Sequence, residues 1–292
     1  MDITVALGGG GARGNAHIGV IRRLEKEGFR IRAIAGTSFG GLVAAYYAMG
    51  YTPDQIEDMF SRFDQSLLYG HAPGEGPSLL GLAGVTNWLE GSLAGFTFDD
   101  LKVPCVLTAV DLRSGNEIVF SGGRLVDAIL GSIAVPGIFP ARHVDGQELV
   151  DGGILDPVPV GPARSLASRL PVVAVVLTTP LGGPAKSWSI PMPSYLPQVL
   201  VHQLRKTRYA LALDTFMRSL DIVSRAITHY RLEVDRPDVI IRPRVSDIDS
   251  LDRVDVHAVA RIGEAAVEEV LPELKRLFKW RRRFHRALGA RS

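Results

Sequence analysis

The stretch Ile31-Arg32-Ala33-Ile34-Ala35-Gly36-Thr37-Ser38-Phe39-Gly40-Gly41 decides the fold. Its first half, Ile31–Ala35, is a short apolar run of strand type, and Gly41–Met49 after it reads as a helix. Between them a serine sits in Gly36-Thr37-Ser38-Phe39-Gly40. A strand that turns sharply into a helix leaves no room for side chains beside the turning residue, so glycine is needed on both sides. The pattern predicts a serine hydroxyl held at the C-terminal edge of a parallel sheet, close to the amides of a helix N-terminus.

Upstream, the apolar run Ile3–Leu7 ends in Gly8-Gly9-Gly10-Gly11-Ala12-Arg13-Gly14, and a helix is expected over about Ala12–Glu27, with Ile18, Ile21 and Leu24 on one side. The opening is therefore β-α-β-α, the mark of a parallel sheet flanked by helices. We expect a three-layer α/β/α fold with a mostly parallel central sheet. Downstream, Pro53–Phe63 and Arg124–Ala134 read as helices, and Cys105–Val110, Glu117–Phe120, Val172–Leu177 and Val239–Ile241 as strands. Asp145-Gly146 between His143–Val144 and Gln147–Val150 is a two-residue hairpin signal. Residues 70–95 show no clear periodicity and read as an irregular loop, either a lid over a binding site or a surface insertion. Tyr195–Leu232 reads as a long helical region entered through a Pro-rich approach (Pro184, Pro191, Pro193, Pro197), with the same two alternatives. Ala258–Leu288 is expected to be helical with a break near Pro272. With 292 residues, no internal repeat and no low-complexity tract, one domain spanning residues 1–292 is the expected organisation.

Hydrophobic residues make up 46% of the chain and charged ones 22%, the balance of a globular protein. The single cysteine, Cys105, excludes an intrachain disulfide and any multi-cysteine zinc site, and its apolar neighbours mark it as a core thiol. No basic start or long apolar stretch suggests a signal peptide or a spanning helix, so a cytoplasmic protein is expected. Charge is unevenly placed. Residues 274–292 hold eight Lys/Arg and no Asp/Glu against a whole-chain formal charge of +2, so the first 273 residues carry −6. From Leu271 onward Leu271, Leu274, Leu277, Phe278, Phe284 and Leu288 share a helix face opposite Lys275, Arg276, Lys279, Arg282, Arg283 and Arg286. Such a helix suits an anionic membrane surface, and equally a terminal helix docked on the body with its basic face in water. The acidic body and the lack of a reading motif weigh against nucleic acid.

A nucleophilic serine needs a base and donors for a developing oxyanion. None of the seven histidines (His17, His71, His143, His202, His229, His257, His285) stands at a strand end beside an orienting acid, so structural or solvent roles are expected for them. Asp151 is the better base. It follows the strand Gln147–Val150 and precedes Gly152-Gly153, which let the backbone pass close to a neighbour, and as a strand-end residue it is expected on the sheet edge that carries Ser38. Asp-Gly-Gly is also a common plain turn. A free aspartate with a pKa of about 3.9 is a weak base, and burial without a cation would raise it toward neutrality. Gly8–Gly14 has two readings as well. Gly9-x-Gly11-x-x-Gly14 matches a dinucleotide fingerprint, but that reading wants an acid at the end of the second strand, where this chain has Ala35-Gly36-Thr37-Ser38. The alternative is an oxyanion hole formed by successive amides beside the serine. Arg13 could position that loop or lie on the surface.

Taken together, Gly8–Gly14, Gly36–Gly40, Asp151-Gly152-Gly153 and the intervening block Ser132-Ile133-Ala134-Val135-Pro136-Gly137-Ile138-Phe139-Pro140 resemble, in order and spacing, the patatin-like phospholipases. The resemblance runs from Ile3 to about Pro159. It implies a Ser38–Asp151 dyad in place of a triad, with the amides of Gly9, Gly10 and Gly11 as oxyanion donors and Gly8, Arg13, Gly14, Gly36, Gly40, Gly152 and Gly153 as supporting motif residues. It further implies hydrolysis of a fatty-acyl ester, phospholipid or lysophospholipid, with no metal and no cofactor. A non-enzymatic regulator that keeps the fold is the competing reading, against which the intact Ser38 and Asp151 argue.

Overall fold

Strand β1 (Asp2–Leu7) fixes the layers by its alternation. Ile3, Val5 and Leu7 belong to one buried cluster and Ala6 to another, so the two faces of the strand look into two separate cores. The computed structural model describes residues 1–182 and 208–289. After β1 the chain forms a 3-10 turn (Gly11–Asn15), α1 (Ala16–Lys26), β2 (Arg30–Thr37), α2 (Phe39–Ala48) and α3 (Pro53–Arg62). It continues through α4 (Ala83–Leu93), β3 (Cys105–Asp111), β4 (Glu117–Phe120), α5 (Leu125–Ser132), β5 (Arg142–Val144) and β6 (Gln147–Asp151). The last elements are α6 (Val160–Leu166), β7 (Val172–Val175), α7 (Arg208–Asp235), β8 (Val239–Ile241) and α8 (Val256–Gly289).

These strands form one sheet in the order β5-β6-β3-β2-β1-β7-β8, with β4 also paired to β3. From β3 to β8 along that order every pairing is parallel, while β4, β5 and β6 join antiparallel. The expected α/β/α architecture with a mostly parallel sheet is therefore present. On one face Ile3, Val5, Leu7 and Ile34 meet Ile18 and Ile21 of α1, Val43 of α2 and Ala260 of α8. Helices α1 and α8 cross so closely that a Cβ on Gly19 would lie 1.8 Å from the Ala260 carbonyl oxygen. On the other face Ala6, Ala35, Val106 and Ala174 are covered by Val160 and Ala163 of α6 and Leu232 of α7. The small residues there let α6 lie against the strands.

Four expectations need correction. The region 70–95 contains α4, whose Val85, Leu89 and Leu93 are buried; its glycines and short apolar groups hid the helical period. Helix α6 was not foreseen. Helix α8 runs through Pro272 without ending; Val267 before it and Leu274 just after it are fully buried and anchor the helix on both sides of the lost hydrogen bond. Strand β6 runs against β3, so Asp151 does not end a parallel strand; it arrives from the opposite direction, in register with Ala109.

The apolar face of α8 over residues 271–278 is spent on the body. Leu274 is fully buried, Leu271 and Leu277 pack on the core, and Phe278 meets Phe29 at 5.7 Å between ring centres. Lys275 donates to Glu27 at 2.8 Å. The Pro-rich approach at 184–207 and the side chains of 279–292, on which the rest of the basic-helix reading depends, lie outside the described residues. No helix among the described residues is long and apolar enough to cross a membrane.

Candidate active site

Ser38 stands at the junction of β2 and α2 with φ 55° and ψ −129°. This is the left-handed side of backbone space, which a residue with a Cβ occupies at a cost of about 1–3 kcal/mol, so the surroundings must hold it there. They do. The Ser38 amide donates to the Ser132 hydroxyl at 2.8 Å. The preceding Thr37 hydroxyl donates to the Asp156 carbonyl at 2.9 Å and lies 2.7 Å from the Thr108 hydroxyl. The glycines flanking the turn are steric necessities: a Cβ on Gly36 would lie 2.5 Å from the Gly40 oxygen, and one on Gly40 2.4 Å from the Leu7 oxygen.

The register of β3 brings Asp151 to the serine. Thr37 pairs with Thr108, and the next residue of β3, Ala109, pairs with Asp151. The Ser38 hydroxyl donates to Asp151 Oδ2 at 2.6 Å, and the Gly153 amide donates to Oδ1 at 2.7 Å. Gly152 lets this turn pass over β3, since a Cβ there would lie 2.4 Å from the Thr108 hydroxyl oxygen. Ser38 and Asp151 are both buried. Burial raises the Asp151 pKa to about 6, against the smaller lowering effect of the hydrogen bonds from Ser38 and Gly153. A carboxylate so placed is matched to proton transfer near neutral pH.

The loop 8–14 passes beside the serine: a Cβ on Gly9 would lie 3.2 Å from Ser38 Cβ. Its carbonyls are held by side chains from its own second half and from the residues just after it. His17 Nε2 lies 2.7 Å from the Gly8 oxygen, Arg13 Nε donates to the Gly10 oxygen at 3.1 Å, and Asn15 Nδ2 donates to the Ala12 oxygen at 2.9 Å. Arg13 also donates to the Ser250 hydroxyl at 2.7 Å, so it positions the loop and is not a surface group. Gly14 admits the ring of Phe39, which a Cβ would meet at 2.3 Å. Among the amides, Gly8 donates to the Val175 oxygen at 3.0 Å, Gly9 to the Pro157 oxygen at 2.9 Å and Ala12 to the Ser250 oxygen at 2.8 Å. Those of Gly10 and Gly11 enter no backbone hydrogen bond among the described residues. Of the three amides expected as free donors, Gly9 is thus already engaged.

In front of Ser38 lies a cavity of about 480 Å³. Phe60 and Trp88, 5.5 Å apart between ring centres, line it from α3 and α4, and Leu220, Val223 and Ile227 line it from α7. The segments 70–95 and 184–232, read from the sequence as lid or insertion, supply α4 and α7 to this lining, but which residues face the cavity was not legible, because α3, α4 and α7 meet only in the folded chain. Ser132, Pro157 and Ser250 were also missed as site residues. None of the five histidines whose side chains are described lines the cavity; His17 is buried and the other four are exposed.

Residues 5–164 match the family model described as patatin-like phospholipase. The chain belongs to that family. Among relatives of this patatin-like protein, an uncharacterised NTE family protein of Mycobacterium tuberculosis is 35% identical over 185 residues, covering 63% of this chain and 51% of that protein. The lysophospholipase NTE1 of Mycosarcoma maydis is 31% identical over 183 residues, covering 58% of this chain and 9% of that protein. The patatin-like chain thus spans about half the length of the mycobacterial relative. Its fold is similar to that of VipD from Legionella pneumophila, with a TM-score of 0.54 at 12% identity over 93% of this chain and 66% of that one.

Proposed function

We propose that the protein is a lipid acyl hydrolase that cleaves fatty-acyl esters of phospholipid or lysophospholipid type through a Ser38–Asp151 dyad. The carrying observation is the 2.6 Å hydrogen bond from the Ser38 hydroxyl to a buried carboxylate whose pKa is raised to about 6. Ser38 Oγ attacks the ester carbonyl while Asp151 Oδ2 takes its proton. The carbonyl oxygen becomes an oxyanion that accepts from the amides of Gly10 and Gly11. Gly9 stays outside the donor set because its N–H is engaged with Pro157. Collapse of the intermediate expels the alcohol, which leaves with the proton from Asp151. Asp151 then takes a proton from water as that water attacks the acyl-serine, and the fatty acid departs as the proton returns to Ser38 Oγ. Asp151 must be ionised to start the cycle, so turnover falls as pH drops through about 6.

The apolar lining favours an acyl chain over a polar substrate, and the similarity to a lysophospholipase supports phospholipid-type esters. For peripheral contact with an anionic membrane, the basic segment after Phe278 is the remaining candidate, since residues 271–278 are docked. An alkyl fluorophosphonate should label Ser38 in the wild-type protein, and Ser38→Ala should lose both labelling and hydrolysis of a nitrophenyl acyl ester while its circular dichroism is unchanged. Undiminished hydrolysis by Ser38→Ala would sink the reading.

A further inference from the structure

We infer that His17 is the positioning residue of the oxyanion loop, acting through the Gly8–Gly9 peptide; the inference rests on the hydrolase reading above. His17 lies in α1, nine residues after Gly8, and is fully buried. Its Nε2 is 2.7 Å from the Gly8 oxygen. A carbonyl only accepts, so Nε2 carries the proton and the ring is the neutral Nε2–H tautomer. Among the described residues Nδ1 has no hydrogen-bond partner. Protonation would therefore place a second N–H where nothing receives it, and burial correspondingly depresses the His17 pKa to about 4.

What the bond controls follows from the geometry of a peptide group. In a trans peptide the C=O of one residue and the N–H of the next point in opposite directions, and the described chain has no cis peptide. Holding the Gly8 oxygen toward His17 sends the Gly9 N–H the other way, into the Pro157 oxygen at 2.9 Å. Pro157 directly follows Asp156, whose carbonyl accepts from Thr37, the residue before the nucleophile. One peptide plane is thus gripped at both ends, by α1 through His17 and by the segment that follows Asp151 through Pro157. The next two amides, Gly10 and Gly11, are uncommitted among the described residues. The second grip is Arg13 on the Gly10 oxygen, which by the same rule orients the Gly11 N–H.

Glycine peptides rotate easily, so a loop of four glycines does not hold two donors aimed at one point unaided. Without the His17 donor the Gly8 carbonyl is left buried and unpaired, and the peptide is free to turn toward another donor. Such a turn shifts the Gly10 and Gly11 amides relative to Ser38 Oγ. Oxyanion donors act on the transition state and hardly on the bound ester, so the effect belongs in kcat and not in KM.

The test compares His17→Gln, which keeps an N–H donor at similar reach, with His17→Met, which has similar length and no donor; His17→Leu serves as a second donor-free variant should Met not fold. Hydrolysis of a nitrophenyl acyl ester is measured over pH 5–9, with active protein counted by fluorophosphonate labelling. Affinity is measured for an alkyl trifluoromethyl ketone, which adds Ser38 Oγ to form a tetrahedral oxyanion, and for the matching methyl ketone. We expect kcat of the donor-free variant to fall about 10- to 100-fold, less than the 10²–10³ typical of outright loss of an oxyanion donor. KM and methyl-ketone affinity should stay within about twofold, trifluoromethyl-ketone affinity should fall in parallel with kcat, and the pH limb near 6 should not move. His17→Gln should recover most of the loss. Wild-type kcat in the donor-free variants, or equal losses in Gln and Met variants, overturns the proposal. Wild-type protein that neither labels nor turns over overturns the hydrolase reading, and this proposal with it.

Discussion

Asp151 and Asp156 are two buried carboxylates five residues apart, of which only the first lines the cavity, and their surroundings differ. Asp151 lines the cavity and, among the described residues, accepts from neutral donors alone, the Ser38 hydroxyl and the Gly153 amide. Asp156 looks away from the cavity, toward Arg231 of α7 at 3.0 Å, and shares that guanidinium with Glu117 at 3.1 Å and Asp235 at 3.9 Å. Burial raises both pKa values. At Asp156 the two extra carboxylates oppose the lowering effect of Arg231, and the shift is upward. A carboxylate poised to accept a proton is one without a cation, touching the group whose proton it takes. One surrounded by like charge and a single arginine is a tether, here between α7 and the strands.

The largest effect should come from making the same substitution at both positions. Asp151→Asn should lower turnover of a soluble ester by about 10³-fold or more, yet raise the thermal midpoint at pH 8. The sign follows from linkage. The Asp151 pKa is raised in the fold from 3.8 to about 6, so its stabilising contribution is full below 3.8 and lost as pH rises through 6; above that, ionised Asp151 opposes folding by up to about 3 kcal/mol. Asparagine removes that cost. Asp156→Asn should leave turnover of a short soluble ester nearly unchanged. If Asp156→Asn proves the more damaging to turnover of that ester, the division of labour is wrong.

A smaller effect should appear in chain-length selectivity, because α7 supplies Leu220, Val223 and Ile227 to the cavity wall. With wild-type protein kcat/KM should rise about fourfold per added methylene until the cavity is filled, the equivalent of about 0.8 kcal/mol per buried CH2. Arg231→Met removes the tether and should flatten that series while leaving the shortest ester nearly untouched. A slope unchanged by Arg231→Met would separate the tether from the cavity wall.

The smallest effect lies outside both carboxylates. Ending the chain after Phe278 should leave soluble-ester turnover and thermal midpoint within error and reduce retention on anionic vesicles. Ending it after Leu271 should lower the midpoint as well, since Leu274 and Phe278 are part of the core. Equal vesicle retention by the chain ended at Phe278 would remove the tail from any membrane role.

The parts legible in the sequence were those fixed by local sterics. Gly36 and Gly40 declare the Ser38 turn because no other residue fits beside it, and Asp145-Gly146 declares its hairpin because both residues have positive φ, 49° and 79°. The Asp151 partnership was legible as chemistry but not as geometry, since the direction of β6 depends on pairing with β3 and not on its own residues. The Gly9 amide looked free because its acceptor, Pro157, lies well over a hundred residues away. His17 was invisible as a positioning group for a related reason: an imidazole on a helix says nothing of which carbonyl it meets. The cavity wall was legible only as two segments that could be lids, because α4 is short and glycine-containing, and α7 turns different residues toward cavity and solvent along one helix.

The Ser38–Asp151 bond joins residues 113 positions apart, and it does so only across β3, which pairs with β2 on one side and β6 on the other. No smaller fragment brings the two groups into reach. In the proposed dyad Ser38 therefore lacks its base early in folding, while Gly8–Gly14 and Ser38 are adjacent but β6 is unpaired. On the proposed mechanism, a half-folded chain with β6 unpaired holds a serine without its base and would be silent toward lipid.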